Sequence, residues 1–107
     1  MGKIPGFYTR FLRQYPDVGA AYTSLSKACK EAGPLDARTA ELVKIGISIG
    51  AGMSGATHSH TRKALEAGAT HDEIIHAVLM ATTTVGFPNM MRGLAWVQDV
   101  LEDEETS

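Results

Sequence analysis

Apolar residues along this chain recur at intervals of three and four almost from end to end, the spacing of one face of a helix. Phe7, Phe11 and Leu12 share a side of a short amphipathic segment over 7–15. Pro16 suits a first helical turn, where its missing N–H is no loss, and opens a helix that runs to about residue 32, where Gly33-Pro34 stops it. Asp36 caps a helix to about residue 50. The glycine-rich stretch 50–55 predicts a turn, with Ser54 as N-cap of a helix to Ala67. Thr70 and Glu73 form a T-x-x-E capping box for a further helix to about residue 85. Gly86-Phe87-Pro88 breaks it, and a last helix spans about 89–101. Two β-leaning stretches, 45–49 and 82–85, lie inside longer helical patterns without alternation. The expectation is an all-α bundle of five to six helices forming one domain over 1–107, with its core at about 20–100 and an acidic tail at about 102–107.

Two of these helices carry polar groups in informative places. In the helix after Asp36, Leu42, Val43, Ile45, Ile47 and Ile49 point several ways, which predicts burial on nearly all sides. Glu41, Lys44 and Ser48 nevertheless line up as one narrow polar stripe. It reads either as a solvent strip with a weak Glu41–Lys44 pair or as a carboxylate facing a lined cavity, a candidate general base. In the next helix His58 and His60 stand about 200° apart, so they do not share a face. A metal site on them is disfavoured, since two histidine ligands on one helix face need i, i+4 spacing. His60 has small neighbours, Ala56, Thr57 and Ala64, and is either a core histidine or a site residue. His58 groups with Arg62 and Leu65 at a rim or interface. The run Thr82-Thr83-Thr84 weakens a helix, and its hydroxyls can bond back to carbonyls and bend it.

Composition narrows the function. The 107 residues carry 10 basic and 12 acidic side chains, a net charge of -2, which argues against a general nucleic-acid binder. Residues 1–53 hold seven basic and four acidic side chains (+3), and residues 54–107 hold three and eight (-5). No apolar run reaches membrane-spanning length. Cys29 is the single cysteine. It follows Leu25 by one turn and is expected to be a buried small hydrophobe, and its solitude fits a reducing, cytoplasmic setting. Neither G-x-S-x-G nor a phosphate-cradling glycine loop is present. No cofactor and no metal are expected. The methionines Met53, Met80, Met90 and Met91 suit cores or interfaces, and the apolar last helices suggest a subunit contact.

Several stretches together resemble the carboxymuconolactone decarboxylase family, which includes the alkylhydroperoxidase D-like proteins. They are Leu35-Asp36-Ala37-Arg38-Thr39-Ala40-Glu41-Leu42, the run from Arg62 to Thr70 followed by Glu73-Ile74, and Gly86-Phe87-Pro88. The peroxidase branch of that family has a Glu, eleven residues, C-x-x-C, three residues and a His. Here Glu41 and His60 fit the ends, while Met53 and Ala56 occupy the cysteine positions. A dithiol peroxidase needs one thiolate to attack and a second thiol to resolve. A thioether and a methyl group do neither, so peroxidase activity ranks last.

The resemblance implies an alkylhydroperoxidase D-like fold and leaves Glu41 and His60 as candidate catalytic residues. The expected function is cofactor-free acid–base chemistry, such as lactone decarboxylation or a related proton transfer on a small organic acid. His58, Arg62 and Met53 are the candidate substrate-binding residues. The alternative is a non-catalytic oligomeric binding protein in which Met53 and Ala56 fill the old thiol site. The resemblance also implies a homo-oligomer, a trimer or hexamer. A small-molecule ligand is expected, and neither nucleic acid nor membrane is an expected partner.

Overall fold

The computed structural model describes the backbone over residues 6–106 and side chains from Gly6 to Asp103. Among the described residues the chain is helical throughout, in the order α1 (Gly6–Gln14), α2 (Pro16–Glu31), α3 (Ala37–Gly50), α4 (Ser54–Glu66), α5 (His71–Leu79), a 3-10 turn (Met80–Thr83) and α6 (Phe87–Thr106). Pro5 and Ser107 lie outside the described residues. No described helix is long and apolar enough to cross a membrane.

By its contacts the chain forms two units, 2–35 and 36–107. In the first, α1 and α2 form a hairpin pivoting on Tyr15. The rings of Phe11 and Tyr15 meet at 5.4 Å, and Leu12 presses on Gly19, the only buried residue of α2. The expected burial of Cys29 is not found, because Leu25 and Cys29 lie on an exposed face of α2.

The second unit holds the core. Ile45 and Ile49 of α3, Ala64 of α4, Ile74 and Val78 of α5, and Val97 and Leu101 of α6 are buried together. A three-residue turn makes α3 and α4 antiparallel. It passes through Gly52 at φ 72°, a conformation that favours glycine. Two contacts set α6 in the same direction as α4: Arg92 lies against Gly52, and Asp99 meets His58. Gly93 of α6 lets this happen closely, since a Cβ there would stand 2.7 Å from three side-chain atoms of Ile49.

Caps and breaks follow the sequence with three shifts. Asp36 caps α3 by accepting from the Thr39 amide at 2.8 Å, and both arms of the Thr70–Glu73 box are made. The N-cap of α4 is Met53 rather than Ser54. The Met53 amide bonds back to the Ser48 carbonyl at 2.9 Å, so the chain re-enters a helix one residue early. The helix expected to reach residue 85 ends as an α-helix at Leu79 and tightens into the 3-10 turn. There Thr84 Oγ1 donates to the Met80 carbonyl at 2.9 Å, the back-bonding of which threonine runs are capable. Gly86, at φ 97°, redirects the chain, and α6 starts at Phe87 with Pro88 in its first turn.

The α3 helix departs most from expectation. It is not buried all round: Val43 and Ile47 are 47% and 65% exposed, whereas Glu41 and Ser48 are buried. The polar stripe faces inward onto α4, and part of the apolar surface faces out.

Three stability predictions rest on this packing and capping. Gly93→Ala forces Ile49, itself 1% exposed, out of place, and thermal melts should show a loss of about 1–3 kcal/mol. Gly46→Ala meets nothing within 4 Å and should be neutral or stabilising by up to about 1 kcal/mol through helix propensity. The third concerns Asp36, whose carboxyl is held below its ordinary value of 3.8, first by the backbone hydrogen bond from Thr39. A carboxyl lowered in the folded state adds stability above its unfolded pKa and loses it as pH falls through the folded value. Asp36→Asn keeps the acceptor without the titration. Urea melts should show the wild-type advantage at pH 7 shrinking below about pH 4.

Candidate active site

The α3–α4 interface is a core seam made partly of polar groups. Glu41 and Ser48 lie two turns apart on one face of α3, and Thr57 and His60 lie about one turn apart on the facing side of α4. Antiparallel packing brings them together in two pairs. At one end His60 Nδ1 donates to Glu41 Oε1 at 2.7 Å. The carboxylate side chain is 7% exposed and the imidazole 22%. A carboxylate only accepts, so this bond places a proton on Nδ1. It leaves Nε2 as the second position at which the ring can take or give a proton.

At the other end Ser48 Oγ and Thr57 Oγ1 are 2.8 Å apart. Ser48 also reaches the Ile45 carbonyl at 2.8 Å, and Thr57 the Met53 carbonyl at 2.9 Å. Two hydroxyl protons therefore serve three contacts. Thr61 Oγ1 closes the seam by donating to the Thr57 carbonyl at 2.7 Å. Among the described residues no buried side-chain nitrogen or oxygen lacks a partner, which is what permits polar groups in this core.

Of the residues singled out from sequence, the structure brings Glu41 and His60 together, with His60 rather than Lys44 as the partner of Glu41. His58 and Arg62 are not on that side. His58 Nε2 donates to Asp99 Oδ2 at 3.0 Å on α6, and Arg62 follows His58 by one turn. Met53 sits at the N-cap of α4, exposed, with its carbonyl bonded to Thr57. The Ser48–Thr57 pair is not legible in the sequence: Ser48 belongs to the polar stripe, but Thr57 reads only as a small neighbour of His60. A second unanticipated feature is Arg92, which stacks over Trp96 at 5.3 Å and bonds Asn89 at 3.0 Å. Among the described residues no three His, Cys, Asp or Glu side chains cluster as metal ligands would.

Removing the Thr57 hydroxyl takes away its contact with Ser48, which keeps its bond to the Ile45 carbonyl. Thr57→Val should therefore cost about 0.5–1.5 kcal/mol by denaturant unfolding, and a double-mutant cycle with Ser48→Ala would measure the coupling of the pair.

Comparison with known proteins gives a consistent outcome. The crystal structure of a carboxymuconolactone decarboxylase family protein from Legionella pneumophila, solved in its apo form, resembles this fold with a TM-score of 0.79. The two sequences are 23% identical, and the match covers 89% of this chain and 85% of that one, a likeness of fold. No curated protein matches the sequence significantly. The carboxymuconolactone decarboxylase family itself matches over residues 16–99, a span that contains Glu41, His60 and the seam between them, so the chain belongs to that family.

Proposed function

We propose that this protein is a cofactor-free acid–base enzyme acting on a small organic acid, with His60 as the proton-transferring residue and Glu41 as its positioning partner. The single observation that carries this reading is the 2.7 Å bond between His60 Nδ1 and a buried carboxylate. A bond to Nδ1 fixes the ring's tautomer and orientation, as in other carboxylate–histidine pairs. The absence of thiols at Met53 and Ala56 removes peroxide reduction by a cysteine pair. Cys29, on α2, is single and does not replace it.

The family name supplies the model substrate. In decarboxylation of a carboxymuconolactone, the bond from ring carbon to carboxylate breaks and carbon dioxide leaves. The electron pair spreads through the conjugated lactone carbonyl, and the resulting dienolate takes a proton on carbon. In this reading His60 takes a proton from water at Nε2 and passes it to that carbon, while Glu41 holds the Nδ1 proton. No oxidant, reductant or metal enters the balance. A lone exposed cysteine is compatible with a reducing compartment, and we place the protein in the cytoplasm.

The test is carbon dioxide release from carboxymuconolactone, together with deuterium incorporation from heavy water into the product. His60→Gln should lower kcat by about 10²–10⁴-fold, the usual contribution of a general acid or base. Glu41→Gln should lower it less and shift the pH profile, which a purely structural residue would not do. Turnover unchanged in folded His60→Gln protein would overturn the assignment. Binding of the lactone without turnover in the wild type would favour a binding protein instead.

A further inference from the structure

Lys44 is the polar residue of α3 that the Glu41–His60 bond leaves over. It stands three residues after Glu41 and four before Ser48, turned about 60° and 40° around the helix from them. Lys44 is half-buried, and among the described residues no carboxylate pairs with it.

The position of α6 tells which way this lysine faces. Ile49 packs against Gly93 of α6, and His58 bonds Asp99 of α6. Lys44 comes five residues before Ile49 and is turned about 140° from it, while His60 is about 200° from His58. Both therefore lie on the flank of the α3–α4 pair that faces away from α6. Along the seam Lys44 sits about 4.5 Å past Glu41, toward the Ser48–Thr57 end. Its flexible stem carries the ammonium along the same flank on which the imidazole, 22% exposed, meets solvent. Other cations fit this place less well. His58 and Arg62 are on the other side, Arg38 pairs with Glu73 at 3.3 Å, and Lys63, a turn past His60, is exposed and less constrained.

An ammonium held beside a proton donor selects an anion. An ion pair to the departing carboxylate would be lost as carbon dioxide forms, so it would stabilise the substrate more than the transition state. A cation that serves the reaction binds a carboxylate that stays. Carboxymuconolactone has both kinds, one on the ring carbon and one on an acetate arm.

We infer that Lys44 binds the retained carboxylate of a dianionic substrate and so places the reacting ring carbon at Nε2 of His60. The inference rests on the acid–base reading and adds the substrate class: an organic acid with two carboxylates, one of which is kept.

Binding can be read without turnover, using γ-butyrolactone that carries a γ-acetate arm. This saturated lactone has the retained carboxylate and no carboxylate to lose. In calorimetric titration the wild type should bind the acid, bind its methyl ester far more weakly, and release the acid as salt rises. Lys44→Met keeps an unbranched, helix-compatible side chain and should weaken binding about ten- to hundredfold. Lys44→Arg, which keeps the cation, should restore most of it. With carboxymuconolactone, Lys44→Met should raise KM by a similar factor and leave kcat little changed. No binding of the acid by the wild type, equal affinity for acid and ester, wild-type binding by folded Lys44→Met, or an equal loss in Lys63→Met overturns the inference. Acid binding that depends on Lys44, in a protein that never releases carbon dioxide, would uphold the carboxylate site and count against the proton-transfer reading alone.

Discussion

A carboxylate taken out of water between two helices is costly unless a donor meets it. In this chain the donor is His60, and the arrangement of the second unit is built around that meeting. Glu41 sits on the face of α3 that touches α4, so the two helices must stay antiparallel and in register for the 2.7 Å bond to form. The three-residue turn through Gly52 provides the reversal. Ser48 and Thr57 pin the register at the turn end of the seam, and Gly93 lets α6 close over Ile49 behind it.

The seam gives α3 an unusual character. Glu41 and Ser48 are satisfied inward, Lys44 is half-buried, and Val43 and Ile47 face outward over the same turns. The packing that builds a candidate proton-transfer pair thus leaves an apolar strip outside. The two sets of positions alternate along one helix and, by its periodicity, face different directions.

Met53 stands at the exposed start of α4 and Ala56 in its first turn, so the positions that the resemblance assigns to thiols carry a thioether and a methyl group. The bond between Glu41 and His60 is made without them.

The sequence by itself determined the helices, most of their caps and the family. These rest on local physics: glycine and proline breaks, the Asp36 and Thr70–Glu73 caps, and a 3.6-residue period legible without neighbours. It also put Glu41 and His60 forward, through a motif whose spacing survives although its cysteines do not. Tertiary structure alone decided which way each face points. The stripe of Glu41 and Ser48 looked the same whether it met water or α4, because periodicity reports angles around an axis and not what lies across from them. For that reason Cys29 reads as interior and is exposed, α3 reads as buried all round and is not, and the bond between Ser48 and Thr57 depends on two helices lying side by side.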